Sequence, residues 1–176
     1  PGTFPYLVSE NLQTGARRIK RVVKLLSKND KYAEAYRGLI EAWIQTGILK
    51  LTSLEELRAN GPWTELPHHA VIREDRATTQ VRPVFEGNAH DPGKKSTNDY
   101  LDPGVNVLPM INEIITDIRL KKYFVISDIS KAFVQVQLLP EDQFLLAIRW
   151  PAEKLADGSY RYNWYRFMPV SYTHLR

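Results

Sequence analysis

Apolar residues recur at helical spacing through the first third of the chain. The segment ARRIKRVVKLLSKNDKY predicts a helix in which Ile19, Val22, Val23 and Leu26 lie on one face. A second periodic run predicts another helix, ending near a glycine at position 47, with a face made of Tyr32, Ala35, Tyr36, Leu39, Ile40 and Trp43. The spacing SLEE at Ser53–Glu56 is that of a capping box and predicts a third, short helix.

Strand patterns follow. Ala70–Arg73 and Gln80–Phe85 flank a polar turn and predict a β-hairpin. After the turn at Asp102–Gly104 we expect a helix with Pro109 in its first turn. Its inward positions would be Leu108, Ile111, Ile115 and Ile118. Two further strands are expected in LPEDQFLLAIRWPA and, after an Asp-Gly turn, in ADGSYRYNWYRF, which favours an α+β or α/β fold.

One predicted strand contains a carboxylate. The run YFVISDISKAFVQVQL at Tyr123–Leu138 is rich in β-branched and aromatic residues, yet Asp128 lies within it. A buried charge is costly unless something neutralises it. From spacing alone, Asp128 is equally well read as a strand-end cap for the following turn or as a ligand of Mg²⁺.

The composition restricts the classes of protein to which the chain can belong. The chain has 176 residues with 43% hydrophobic and 25% charged residues, which is typical of a globular domain. The formal net charge of +4 is a mild indication of a polyanionic partner. Cysteine is absent, which excludes disulfides and thiolate metal sites, and the four histidines lack the spacing of a zinc site. We find no apolar run long enough to span a membrane.

A basic stripe accompanies the first helix. The residues Arg17, Arg21, Lys24, Lys28 and Lys31 recur near helical spacing, with Asp30 as the single acid among them. A solvated helix face is one interpretation. The other is contact with a phosphate backbone, because clustered lysine and arginine displace counterions from nucleic acid.

Several motifs together resemble a known family. SDISKAFVQV resembles the first catalytic-aspartate motif of reverse transcriptases, and TTQVRPVFEG resembles their fingers hairpin. LLPEDQFLLAIRW and YNWYRFMP are similar to the strands that lead to the next motif. LPHHAVIRED and STNDYLDPGVNVLP resemble specifically the Pao/BEL group of long-terminal-repeat retrotransposons. The resemblance extends from Arg17 to Met168 and implies an α+β right-hand polymerase fold, with fingers and part of the palm.

The resemblance also implies roles for individual residues. Asp128 would be the catalytic ligand of two Mg²⁺ ions, with a further ligand from the backbone carbonyl of Ile129. Arg82 would contact the triphosphate of the incoming deoxynucleotide. The backbone amides of Lys131 and Ala132 would hold the same triphosphate. Phe133 would abut the sugar and exclude a 2′-hydroxyl.

The same resemblance implies partners and domains. These are an RNA or DNA primer–template, deoxynucleoside triphosphates and the remainder of a Pol polyprotein, in an intracellular, cytoplasmic virus-like particle. We expect a basic helical segment at residues 1–62, fingers and partial palm at residues 63–169, and an adapter read-through tail at residues 170–176, because VSYTHLR is similar to a translated sequencing adapter.

One family motif is missing. The sequence contains no Asp-Asp dipeptide, whereas reverse transcriptases carry an aromatic-x-Asp-Asp motif. We therefore expect a truncated fragment that is inactive alone. The alternative from another functional class is a non-catalytic nucleic-acid-binding module that uses the basic stripe and does not need Asp128. A structural protein that retains only the scaffold is a third possibility.

Overall fold

Helices and strands mix in an α+β fold. The computed structural model describes residues 9–28, 30–75, 80–102, 104–127 and 138–168. The helices are α1 Leu12–Leu26, α2 Lys31–Gln45, α3 Leu54–Ala59 and α4 Ile111–Arg119. The strands are β1 Leu49–Thr52, β2 Thr64–Glu65, β3 His68–Ile72, β4 Val81–Phe85, β5 Leu146–Lys154 and β6 Tyr160–Phe167.

Side-chain caps set where the helices begin. The Asp30 carboxylate accepts hydrogen bonds from the backbone N–H groups of Tyr32 and Ala33, each at 3.0 Å, and α2 begins immediately after it. After α2, Gly47 has a φ of 75°, which a glycine adopts without strain. Ser53 Oγ accepts from the Glu56 N–H at 3.1 Å and starts α3 where the SLEE spacing predicted.

The strands form two sheets. The larger has the order β1-β6-β5-β2, in which β2 is parallel to β5 and the other neighbours are antiparallel. The smaller is the antiparallel hairpin of β3 and β4. The predictions of this hairpin and of the two strands after Leu138 are confirmed. Strands β1 and β2 were not predicted.

Most of the core lies where α1, α2 and the hairpin pack together on the large sheet. Its most buried members include Val22, Tyr36, Ile40, Leu49 and Ile148. A smaller cluster contains Leu57, Trp63 and Ala147. Neighbouring residues 147 and 148 of β5 enter different clusters because successive side chains of a strand point to opposite faces.

The fourth helix differs from its prediction. It begins at Ile111, so Pro109 precedes it instead of lying in its first turn. The expected inward residues Leu108, Ile111 and Ile115 are exposed, and Ile118 is only half-buried. In the described part of the chain no element covers this apolar face, which explains why a correct amphipathic pattern produced a wrong burial prediction.

The strand predicted at Tyr123–Leu138 is wrong for residues 123–127. Residues 123–127 have no regular secondary structure, and Val125 is 94% exposed. A strand requires a neighbouring backbone to pair with, and none of the described residues pairs with this segment. Residues 128–137 lie outside the described ranges. Among the helices that are described, none has the length and apolar character that crossing a bilayer requires.

Candidate functional site

The outer side of α1 carries a compact group of positive charges. Arg17, Lys20, Arg21 and Lys24 are all exposed on it, and Lys28 follows just past its last turn. We call these five residues the basic arc. The opposite side of the helix is fixed in the core by the buried residues Ile19 and Val22. Because the inner face of α1 is buried, the four cations on the helix itself face solvent.

Lys20 was missed in the sequence, although its spacing of three from Arg17 and four from Lys24 would have placed it on this side. Lys31 does not continue the helical spacing of the stripe. The helix ends at Leu26, and Lys31 is the first residue of α2, with its Nζ 4.8 Å from the centroid of the Tyr32 ring. The reason is Asp30, which caps α2 and so interrupts the helical repeat.

One arginine of α1, which is half-buried, forms an ion pair next to the hairpin. Arg18 Nε lies 3.1 Å from a carboxylate oxygen of Glu86, directly after β4. The other oxygen of Glu86 lies 3.0 Å from His69 Nδ1 on β3. Glu86 thereby joins α1 to the hairpin, and Arg18 is not available to an external anion in the way the arc residues are.

The hairpin presents Arg82 outward. Arg82 is exposed on β4 opposite Val71, whereas its neighbour Val81 is 5% exposed and belongs to the core. The alternation of a strand thus turns the arginine away from the core while Val81 anchors it. This geometry leaves the guanidinium accessible to a phosphate group, for which its planar array of donors is well suited.

The other predicted residues lie outside the described ranges. They are Asp128, Ile129, Lys131, Ala132 and Phe133. Their convergence with Arg82 and the binding of Mg²⁺ stay predictions. Among the residues that are described, no group of three or more histidine, aspartate or glutamate side chains is arranged to hold a metal ion.

A buried ion pair beneath α1 was not foreseen. Arg149 Nη2 of β5 lies 2.6 Å from a carboxylate oxygen of Glu65 in β2, and the two side chains are 12% and 2% exposed. Burial raises the pKa of Glu65 to about 7, against the opposing attraction of Arg149. Two residues 84 positions apart carry no joint signal in the sequence. The enclosed pair connects β2 to β5 through their side chains.

A second buried polar group joins three elements. His68 of β3 contacts the Tyr36 hydroxyl of α2 through Nδ1 at 2.6 Å and the Arg149 carbonyl of β5 through Nε2 at 3.0 Å. Burial lowers the pKa of His68 to about 4, so the ring is neutral near pH 7. A carbonyl only accepts, so Nε2 donates and Nδ1 accepts from Tyr36. This histidine is a structural connector.

Comparison with family models, curated proteins and solved structures gives no significant match for this chain.

Proposed function

We propose that the chain is the fingers and the first part of the palm of an RNA-directed DNA polymerase from a Pao/BEL-type retrotransposon. The observation that carries the proposal is the β3–β4 hairpin, formed by the segment that resembles the fingers hairpin, with Arg82 exposed on it. A nucleotidyl transferase needs a cation at the triphosphate, and an outward arginine on an anchored hairpin supplies one.

The chemistry proposed for the remaining residues follows from the same motif set. Bound Mg²⁺ would supply charge stabilisation for the attacking and leaving oxygens. Asp128 would hold the metal together with the Ile129 carbonyl. The Lys131 and Ala132 amides would orient the triphosphate, and Phe133 would select deoxyribose. Because the 176 residues contain no Asp-Asp dipeptide, we expect this chain alone to extend no primer.

The basic arc supports a second function, binding of the nucleic-acid backbone. Its cations lie on one solvent-facing surface, whereas Arg18, which could have joined them, is paired with Glu86. Such an arc neutralises phosphates without reading sequence. A non-catalytic binding module would need this surface and would not need Arg82 or Asp128.

Substitution of two arginines in the hairpin region distinguishes the two proposed functions. Arg73 follows β3 and Arg82 lies on β4, and both are exposed. In a longer chain that includes an aromatic-x-Asp-Asp segment, Arg82→Gln should raise the KM for deoxynucleotide by roughly tenfold or more, as expected for loss of a charge-assisted phosphate contact. Arg73→Gln, the matched control, should leave this KM within about twofold.

The two variants should differ only in their KM for deoxynucleotide. Affinity for primer–template, measured by fluorescence anisotropy, should be the same for both variants. If the two substitutions change KM equally, the polymerase assignment of Arg82 is wrong. If the longer chain binds primer–template with strong salt dependence but never incorporates nucleotide, the binding module is the better description.

A further inference from the structure

The loop after α3 contains a chemically labile dipeptide. Asn60 and Gly61 form the only Asn-Gly pair in the sequence, and both residues are exposed. In such a pair, the backbone nitrogen of the second residue can attack the side-chain carbonyl carbon of the asparagine. A Cβ on the second residue hinders this attack, and glycine has none. The chain thus carries one asparagine at which this reaction is least hindered.

The structure leaves the attacking nitrogen accessible. Gly61 has a φ of 116°, in the region that favours glycine, and no atom lies within 4 Å of the position that a Cβ would take. In the described part of the chain, no group accepts a hydrogen bond from the Gly61 N–H. No described contact at Gly61 therefore opposes a change in the orientation of this peptide group.

The end of α3 opposes the reaction. Asn60 follows the last residue of the helix, and its Nδ2 donates a hydrogen bond to the Glu56 carbonyl at 2.7 Å. The ψ of 8° at Asn60 nearly eclipses the Gly61 nitrogen with the backbone nitrogen of Asn60, whereas attack on the side-chain carbon requires the Gly61 nitrogen to lie near Cβ. The attack therefore needs rotation at Asn60 and opening of the last turn.

Few contacts hold this last turn closed. The helix has six residues, and a helix of this length is marginal in water without support from packing. Of the residues of α3, only Leu57 is buried. Helix ends are among the parts of a fold that open most readily. The fold thus slows the reaction and does not prevent it.

We propose that Asn60 is a site of spontaneous deamidation, and that opening of the last turn of α3 sets its rate. The Gly61 nitrogen gives up its proton and forms a bond to Asn60 Cγ, and the Cγ–Nδ2 bond breaks. Nδ2 takes up a proton and leaves as ammonia, and a cyclic imide remains. One water molecule then opens the imide at either carbonyl, which yields aspartate or isoaspartate. No oxidant or reductant takes part.

The product should weaken the end of α3. A carboxylate has no proton to donate to the Glu56 carbonyl, and a negative charge at the C-terminus of a helix is unfavourable. Isoaspartate also adds a carbon atom to the main chain between Leu57 and Trp63, two buried members of the smaller cluster. The modified chain should therefore be less stable than the starting chain. The proposal does not depend on the polymerase assignment.

The first test compares two asparagines of the same chain. The 176-residue chain is incubated at mildly alkaline pH under native conditions, and its peptides are mapped by mass spectrometry at intervals. Asn88 is the internal control, because it is exposed but is followed by Ala89. Asn60 should react at least about tenfold faster than Asn88, with isoaspartate among the products. Equal rates at the two positions would overturn the proposal.

The second test loosens α3 and leaves the reacting groups unchanged. Ser53→Ala removes the hydroxyl that accepts from the Glu56 N–H at 3.1 Å at the start of the helix. Loss of such a cap should raise the rate at Asn60 by roughly fivefold. Ser27→Ala is the matched control, because Ser27 is exposed at the end of α1, and it should leave the rate unchanged. If Ser53→Ala also leaves it unchanged, opening of α3 does not set the rate, and the proposal is wrong.

Discussion

Acidification should weaken the packing of the β3–β4 hairpin through one side chain, His68. This ring is 3% exposed and is enclosed by Tyr36, Phe85 and Trp150, with the Trp150 ring stacked at a centroid distance of 5.9 Å. Protonation places a charge among these rings and removes the lone pair with which Nδ1 accepts the Tyr36 hydrogen bond at 2.6 Å. The native state therefore disfavours protonation of His68.

The contribution of His68 to the unfolding free energy follows from the difference between its pKa in the folded and unfolded states. The pKa of His68 is lowered from 6.5 to about 4, chiefly by burial, with a smaller opposing effect of the Arg149 carbonyl. At about 1.4 kcal/mol per pKa unit, this corresponds to about 3 kcal/mol. Because the unfolded chain takes up the proton first, the contribution is fully present above pH 6.5 and is lost as the pH falls to 4.

Titration of Glu65 changes the stability in the opposite direction over nearly the same pH range. Its pKa is raised from 4.5 to about 7, so the unfolded carboxyl loses its proton first and stability falls as the pH rises from 4.5 to 7. In the wild-type chain the two effects partly cancel. Glu65→Gln removes the opposing effect and leaves the histidine effect visible.

The assay is urea unfolding followed by tryptophan fluorescence at a series of pH values. Between pH 7 and pH 4, Glu65→Gln should lose roughly 3 kcal/mol more unfolding free energy than Glu65→Gln combined with His68→Gln. The exposed carboxylates are common to both variants and cancel in the difference. Equal pH profiles for the two variants would show that His68 is not held neutral by the fold, and the reasoning would fail.

Two further predictions use matched pairs of variants. A Cβ on Gly15 of α1 would overlap the Glu65 carboxylate, whereas one on Gly38 of α2 meets no atom within 4 Å. In thermal or urea unfolding, Gly15→Ala should therefore destabilise by about 1–3 kcal/mol and Gly38→Ala should stabilise by up to about 1 kcal/mol, and the opposite order would contradict this packing. For the basic arc, Arg17→Gln combined with Lys24→Gln should reduce the slope of log affinity against log salt for duplex DNA by about 2. The exposed pair Lys121→Gln and Lys122→Gln is its control, and an equal loss of slope there would show that the arc is not the binding surface.

Periodic patterns were sufficient where a helix or strand buries its own regular face. The apolar positions of α1, the SLEE cap and the hairpin could be predicted because each signal lies within a few adjacent residues. The face predicted for α2 is correct except at Ala35, which is exposed, while Ala33 is buried in its place. Strand β1 is only four residues long and pairs with β6, more than a hundred positions away. Such a strand carries no periodic signal of its own, because its partner decides whether it forms.

The same contrast between local patterns and distant contacts decides which residues of the candidate site could be predicted. The cations of α1 are evident from spacing, but their exact set depends on Asp30, whose capping role ends the repeat before Lys31. Arg82 was singled out only by the resemblance, and the local hairpin pattern places it on a strand that the structure confirms. The Glu65–Arg149 pair and the His68 connector depend on contacts between distant segments, and no local pattern indicates them.

Primer extension by a longer chain that includes an aromatic-x-Asp-Asp segment tests the central proposal most directly. Asp128→Asn keeps the shape of the side chain and removes its charge, so it should abolish extension while salt-sensitive binding of primer–template persists. Asp117→Asn, on an exposed position of α4, is the matched control and should extend at the wild-type rate. If Asp128→Asn extends primers within a few-fold of the wild-type rate, Asp128 is not the metal ligand, and the polymerase assignment of this residue is wrong.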